Sequence, residues 1–130
     1  MKIMVGYDGT QSCKSALDLA ISYAKAFTGK VLVVASMRGG AQPQTEEIKA
    51  MEEELAQVKG RLENKKIPCE THLLIRGMTP GEDLVHYGQE NGIDKIVIGI
   101  RRRSKVGKLV FGSNAQYVIL HASCPVTTVK

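Results

Sequence analysis

The chain has 130 residues, of which 43% are hydrophobic and 24% are charged. This length fits a single globular domain, and no apolar run approaches the roughly 20 residues that a membrane-spanning helix needs. The net charge of +5 is unevenly distributed, because residues 95–130 carry seven basic and no acidic side chains, whereas residues 1–94 carry 11 basic and 13 acidic ones. This segregation favours an anionic partner for the last part of the chain.

Short apolar runs alternate with longer segments of helical periodicity. KIMVGYD predicts a first strand over residues 2–8, and apolar residues at helical spacing then predict a helix that ends at Gly29. KVLVVAS predicts a second strand over residues 30–36. After a loop over residues 37–44, a second helix is indicated by one apolar stripe: Ile48, Met51, Leu55, Val58 and Leu62.

The second half of the chain repeats this alternation. A third strand is predicted over residues 69–75, and the capping box of residues 79–82 (TPGE) starts a third helix. Residues 96–100 form a fully apolar fourth strand. Ser113 is the expected N-cap of a last helix, and VTTVK predicts a final edge strand over residues 126–130. The residues of the last helix that are expected to face inward are Val118, Ile119 and Ala122.

Strands that alternate with helices, and that are apolar without interruption, indicate a mostly parallel sheet with helices on both faces. We therefore expect one α/β domain over residues 1–130, a small doubly wound sheet. No cationic and apolar leader precedes the first strand, so we expect no signal peptide and a cytoplasmic protein. The three widely spaced cysteines, Cys13, Cys69 and Cys124, are expected to be reduced thiols in packing positions.

In open α/β sheets, ligands bind beyond the carboxyl ends of the strands, near the point where the strand order reverses. The loops predicted at this edge are residues 7–10, 36–40 and 99–113. The third loop is basic and ends with Gly112 and Ser113 at a helix start, where unpaired N–H groups and the helix dipole favour an anion. It predicts a phosphate contact; the alternative is that Ser113 only caps the helix and the cations are only a solvated surface.

Asp8 directly follows the first strand and has two interpretations. It either caps the next helix by accepting from N–H groups near Thr10 and Gln11, or it accepts hydrogen bonds from ligand hydroxyls such as those of a ribose. A carboxylate at this position is also suited to holding a divalent cation against phosphates.

Other site motifs are incomplete. The basic loop lacks the G-x-x-x-x-G-K-[ST] pattern of a Walker A loop, and residues 6–9 (GYDG) lack the G-x-G-x-x-G spacing of a dinucleotide fold. Cys69 and His72 lie three residues apart on a strand and therefore point to opposite faces, so they do not form a metal-binding pair.

Three segments resemble the universal stress protein family, and the resemblance extends over the whole chain. The family's first strand with Asp-Gly-Ser/Thr is similar to residues 5–10 (VGYDGT), and its third-helix start Gly-x-Pro-x-Glu-x-Leu/Ile is similar to residues 77–84 (GMTPGEDL). Its closing Ala-x-Cys-Pro-Val matches residues 122–126 (ASCPV).

The signature of ATP-binding members, G-x2-G-x9-G-[ST], is matched at Gly99, Gly112 and Ser113, with Arg102 in place of the second glycine. An arginine at this position either blocks the approach of phosphates to the backbone or replaces that approach with a cationic contact. The resemblance also implies a five-stranded sheet of order 3-2-1-4-5 and a homodimer made by the last strand.

That last strand starts at Val126 and reaches Lys130, and an unprotected edge strand is suited to pairing with its twin. The resemblance further implies that Asp8 contacts the ribose or adenine, that Ser36 contacts the adenine edge through its backbone, and that the loop glycines and Ser113 contact phosphates. The complete candidate nucleotide site is Tyr7, Asp8, Gly9, Thr10, Ser36, Gly99, Ile100, Arg101, Arg102, Lys105, Gly112, Ser113 and Asn114.

Two functional hypotheses follow. The first is a homodimeric stress-response regulatory protein that binds ATP, with or without Mg²⁺, or a related adenine nucleotide. The second is a dimeric interaction module whose basic loop binds another anionic ligand or a protein partner. Nucleic acid is the weakest choice of anion, because aromatic residues make up only 5% of the chain and none lies among the arginines. No nucleophile with a neighbouring base is found in these motifs, so we expect slow ATP hydrolysis at most.

Overall fold

The computed structural model describes residues 1–39, 45–100 and 112–130 of the chain. The predicted alternation of strands and helices is confirmed, with boundaries that shift by one or two residues. The strands are β1 (Lys2–Gly6), β2 (Lys30–Ser36), β3 (Cys69–Leu74), β4 (Lys95–Gly99) and β5 (Val126–Val129). The helices are α1 (Gln11–Phe27), α2 (Thr45–Asn64), α3 (Pro80–Glu90) and α4 (Ser113–His121).

The five strands form one parallel sheet of order β3-β2-β1-β4-β5, which confirms the predicted fold class and strand order. The chain first builds outward from β1 through β2 to β3, and it then returns to the opposite side of β1 to place β4 and β5. The strand order therefore reverses between β1 and β4. A reversal of this kind favours an opening at the carboxyl edge of a parallel sheet.

Each face of the sheet carries its own apolar core. Ile3 and Val5 of β1 pack in a core with α1 and α2, whereas Met4 faces the opposite core with α3 and α4. This arrangement explains why the strands are apolar without interruption, since side chains alternate between two covered faces. Among the described residues, no helix is both long and apolar enough to cross a membrane. The three cysteines of the chain, Cys13, Cys69 and Cys124, carry free thiols, as predicted.

Three local predictions are wrong in detail. The first helix ends at Phe27, two residues before the predicted stop at Gly29, because Thr28 takes the left-handed conformation with φ of 53°. Ser113 is the first helical residue of α4 and is not its N-cap; Gly112 holds that position in extended conformation. Ile119 is 40% exposed and does not face inward. It lies one residue, or about 100° of rotation, past the buried Val118 on a helix that packs on one side only.

Candidate functional site

A cleft of about 260 Å³ opens at the carboxyl edge of the sheet, where β1 and β4 separate. Its walls come from the first loop, the end of β2, the start of α3, the end of β4 and the first turns of α4. The lining residues are Gly6, Tyr7, Asp8, Cys13, Val34, Ser36, Pro80, Leu84, Ile98, Gly99, Gly112, Ser113, Asn114, Ala115 and Val118.

Asp8 and Thr10 together stabilise the turn at which α1 starts. Asp8 Oδ1 accepts hydrogen bonds from the Thr10 backbone N–H at 3.0 Å and from the Thr10 hydroxyl at 2.6 Å. Thr10 is the N-cap of the helix, and its hydroxyl accepts from the Cys13 N–H at 3.3 Å. Gly9 permits this tight turn with φ of 81°. The capping role considered for Asp8 therefore belongs to Thr10, and Asp8 braces the turn while its exposed carboxylate lines the cleft.

Tyr7 contributes a wall of the cleft, but its hydroxyl is directed to α2. The ring is 6% exposed, and the hydroxyl donates to Glu54 Oε1 at 3.3 Å. Burial, with the adjacent Glu54 charge as the next cause, raises the pKa of Tyr7 to about 12. Tyr7 therefore stays a neutral phenol at physiological pH and fixes the position of the first loop against α2.

Gly99 lies where β4 passes directly over the start of α1. A Cβ atom on Gly99 would lie 2.5 Å from the carbonyl carbon of Ser12 and 2.6 Å from the backbone nitrogen of Cys13. Only glycine allows this close approach of strand and helix. The next residue, Ile100, is buried and donates its N–H to the Val129 carbonyl at 2.7 Å, so it extends the pairing of β4 with β5.

The N-terminus of α4 faces the cleft. Gly112 is its N-cap and has no side chain to accept from the first-turn N–H groups, and Ser113 presents an exposed hydroxyl there. Asn114 Oδ1 accepts from the Gly81 N–H at 2.9 Å and thereby joins the first turns of α4 and α3. Because the α4 N–H groups and the positive end of the helix dipole meet the cleft together, this end of it is suited to an anion.

A polar network centred on the buried Asp83 adjoins the cleft, and the sequence patterns did not predict it. The Ser36 hydroxyl donates to Asp83 Oδ2 at 2.7 Å, and Arg76 Nε donates to Asp83 Oδ1 at 2.6 Å. Asp83 is completely buried in the first turns of α3. In the sequence, Asp83 directly precedes the inward-facing Leu84, and this position could have indicated the network. A carboxylate on a buried helix face requires a cation or hydrogen-bond donors.

Comparison with known proteins gives a consistent relationship over the whole chain. The sequence profile of the universal stress protein family matches residues 1–130. The chain belongs to the universal stress protein family. A universal stress protein of Mycolicibacterium smegmatis is 31% identical over 128 residues, which cover 98% of this chain and 96% of that protein.

Two solved structures of universal stress proteins from Archaeoglobus fulgidus are also similar. One is 37% identical with a TM-score of 0.90, and the alignment covers 100% of this chain and 98% of that one. The other, solved in complex with dAMP, is 34% identical with a TM-score of 0.85 and the same coverage. The family predicted from the three sequence segments is therefore confirmed.

The cleft of this universal stress protein brings together a large part of the predicted site. The predicted residues that line it are Tyr7, Asp8, Ser36, Gly99, Gly112, Ser113 and Asn114. Gly9, Thr10 and Ile100 do not line the cleft: Gly9 and Thr10 form the turn with Asp8, and Ile100 pairs with Val129. Arg101, Arg102 and Lys105 lie outside the described residues. The cleft also includes a thiol that was predicted only as packing, Cys13, and burial raises its pKa, which keeps this thiol protonated.

Proposed function

We propose that this chain is a regulatory protein of the stress response that binds ATP or a related adenine nucleotide in the cleft and acts as a homodimer. The observation that carries the proposal is that a helix N-terminus and a carboxylate line the same cleft. The helix N-terminus at Gly112 and Ser113 is suited to phosphate, and the exposed carboxylate of Asp8 is suited to ribose hydroxyls. The A. fulgidus relative that was solved with dAMP supports this choice of ligand.

The polarity of the cleft agrees with such a ligand. Apolar side chains line one part of it, namely Val34, Leu84, Ile98 and Val118. A base ring is the part of a nucleotide that is suited to this apolar surface, because burial of its faces removes apolar area from water. The ribose then lies near Asp8 and the phosphates near α4. Mg²⁺ accompanies the phosphates when the ligand is ATP, since hard cations are bound by phosphate and carboxylate oxygens.

Titration calorimetry with dAMP, AMP and ATP, each with and without Mg²⁺, tests this function. We expect saturable binding by the wild-type protein. Asp8→Asn should weaken it roughly 10- to 100-fold, since a hydrogen bond to a charged group contributes about 1.5–3 kcal/mol. Glu52→Gln removes one exposed charge on α2 as a matched control and should leave the affinity unchanged. An absence of binding by all three nucleotides at millimolar concentration, with and without Mg²⁺, would refute the proposal.

The homodimer is proposed at β5, which is an edge strand of the sheet. The carbonyls of Pro125 and Val129 accept from Ile96 of β4 and from Ile100, which directly follows β4. In a parallel ladder this alternation directs the N–H of Thr128 to the open edge. On α4, the helix that precedes β5 in the chain, Leu120 is 75% exposed. An open ladder and an exposed apolar side chain each favour pairing with a second copy.

Substitution at Thr128 tests this interface. Thr128→Pro removes an N–H that β4 does not use, so it should preserve the fold and convert the dimer to a monomer in analytical ultracentrifugation. Thr128→Val keeps the N–H and should remain dimeric. A wild-type protein that sediments as a monomer would exclude the dimer.

A second candidate function is an interaction module that binds another anion. The specific observation is Arg102 in place of the second glycine of the signature, within a segment of seven basic and no acidic side chains. A salt series separates the two functions, because binding of a polyanion weakens steeply with salt whereas a nucleotide in a formed cleft responds less. Arg102→Gly decides the role of the arginine: a gain in ATP affinity identifies a block, and a loss identifies a ligand.

A further inference from the structure

The strand β3 forms the other edge of the sheet, on the side opposite β5. The carbonyls of Pro68 and Leu74 accept from N–H groups of β2 and of the residue that follows it. In a parallel ladder this alternation directs every second residue of β3 to β2 and leaves the N–H and C=O groups of Cys69, Thr71 and Leu73 directed away from the sheet. Among the described residues, none forms a hydrogen bond with these outward groups.

The edge at β3 lacks the features that usually protect an edge strand from pairing. Natural edge strands carry lysine, proline or a bulge, which oppose the addition of another strand. The sequence of β3 is CETHLL, which contains neither lysine nor proline, and its register with β2 is regular over all six residues. Each of the six residues is partly exposed, and the three that are directed outward are uncharged. The main-chain groups of this edge are therefore available to a further strand.

One face of β3 carries a carboxylate and an imidazole side by side. Glu70 forms an ion pair with Lys30 of β2, and its Oε1 accepts from His72 Nε2 at 2.9 Å. The hydrogen bonds from Lys30 and from His72 lower the pKa of Glu70 to about 2, so this side chain is a carboxylate at neutral pH. The side chains of Glu70 and His72 are 42% and 38% exposed. A strand that pairs with β3 therefore meets one acceptor and one imidazole on this face.

The sequence of β3 is complementary to itself in one antiparallel register. Only residues that are directed to the open edge exchange hydrogen bonds across it, so a two-fold axis has few possible positions. An axis at Thr71 places Cys69 opposite Leu73 and Glu70 opposite His72 across the interface. An axis at Glu70 places two carboxylates opposite each other, and an axis at His72 places the carboxylate opposite an apolar residue. Because opposite charges stabilise a facing pair and like charges destabilise it, the axis at Thr71 is favoured.

We propose that β3 is a second self-association surface, at which two copies of this chain pair antiparallel about Thr71. Three facing pairs then supply about six main-chain hydrogen bonds, and Glu70 meets His72 twice, once on each side of the axis. This surface lies on the opposite edge of the sheet from the homodimer contact proposed at β5. A dimer formed through β5 therefore keeps two free β3 edges, and association through both edges extends one sheet from copy to copy.

Analytical ultracentrifugation over a concentration series from about 5 µM to about 500 µM tests the proposal. A contact of five residues a side is small, so we expect it to form at roughly 0.1 mM. Thr128→Pro, in which β5 pairing is blocked, should be a monomer at low concentration and a dimer, but nothing larger, at high concentration. A Thr128→Pro protein that stays monomeric throughout would overturn the proposal. A wild-type protein that also stops at this weak dimer would instead remove the contact at β5 and support the one at β3.

Substitutions at His72, made in the Thr128→Pro protein, test the charge pairing. His72→Lys places an ammonium group opposite the carboxylate of Glu70 and should strengthen association roughly 2- to 30-fold. His72→Glu places two carboxylates opposite each other and should weaken association by a similar factor. Changes of the same sign in both variants, or no change in either, would overturn the proposal.

A cross-link tests the register directly and does not depend on the charges. Facing residues that exchange both hydrogen bonds have Cα atoms about 5.5 Å apart, which lies within the range of a disulfide. In the Thr128→Pro protein, Thr71→Cys should therefore give a covalent dimer when it is oxidised by glutathione disulfide. His72→Cys is the matched control and should not cross-link, because position 72 faces Glu70. The absence of a cross-link in Thr71→Cys, or equal cross-linking in both variants, would overturn the proposed pairing.

Discussion

Replacement of Gly99 by alanine tests whether the junction of β4 with α1 is as closely packed as the structure shows. The added Cβ would lie 2.5 Å from the Ser12 carbonyl carbon, 2.6 Å from the Cys13 nitrogen and 2.6 Å from Ser12 Oγ. Carbon atoms in contact prefer about 3.5–4.0 Å, so strand and helix must separate by about 1 Å. Two of the three obstructing atoms belong to the backbone, and rotation of a side chain cannot remove the clash.

We expect Gly99→Ala to lower the free energy of unfolding by about 2–3 kcal/mol, the upper part of the range for overpacked sites. For a domain of this size, that corresponds to a fall in Tm of roughly 10 °C. Urea unfolding and thermal melting followed by circular dichroism measure both quantities. Gly60→Ala is the control, because a Cβ at this exposed position of α2 meets no atom within 4 Å and should stabilise the helix by about 0.5–1 kcal/mol.

The two glycine variants must therefore differ in sign. If Gly99→Ala were as stable as the wild-type protein, β4 and α1 would not be in the contact described, and the floor of the cleft would be placed wrongly. The same variant should also weaken AMP binding, since the separation displaces the start of α1 with Asp8 and Thr10.

Three further predictions concern stability. In the wild-type protein, the raised pKa of Tyr7 means that the stability contributed by its neutral phenol is complete below pH 10 and is lost as the phenol ionises beside Glu54 near pH 12. In urea unfolding, Tyr7→Phe should therefore reduce the loss of stability between pH 10 and pH 12. Thr10→Ala should cost about 1 kcal/mol through loss of the α1 cap, whereas Thr10→Ser should cost much less; equal losses would contradict the capping role. Arg76→Ala should cost about 1–3 kcal/mol, because it removes the charged donor of the buried Asp83 carboxylate, and a cost below about 0.5 kcal/mol would show that this pair is dispensable.

The sequence was sufficient to predict the architecture because its local signals agree with one another. Apolar runs such as residues 31–35 carry no charge and lie next to turn formers, so they favour strands covered on both faces. The third helix starts at its predicted cap, Thr79, whose hydroxyl accepts from the Glu82 N–H at 3.4 Å. Strand order came from the family resemblance, since no local pattern shows which strands are neighbours.

The candidate site was predictable in its position and less so in its contacts. Loops at the carboxyl edge of a parallel sheet converge by geometry, so the approach of Asp8 to Ser113 required no knowledge of side chains. The network of Ser36 with Asp83 was not predicted, because its members are 47 residues apart and only the packed fold brings them together. Sequence spacing also could not distinguish Gly112 from Ser113 as the N-cap, since a single residue separates the two.

The helix α4 has no side-chain cap, so its first N–H groups stay available at the cleft although the helix itself is held in place. A nine-residue helix without a side-chain cap is marginal by itself, so its position depends on tertiary contacts. Val118 supplies the apolar contact, and Asn114 supplies a hydrogen bond to Gly81, where a Cβ would lie only 2.9 Å from the Asn114 carbonyl oxygen. These contacts hold the helix from the side and leave its first N–H groups directed to the cleft. A serine or aspartate at position 112 would satisfy those N–H groups internally, and the cleft would lose the donors that we propose meet the phosphates.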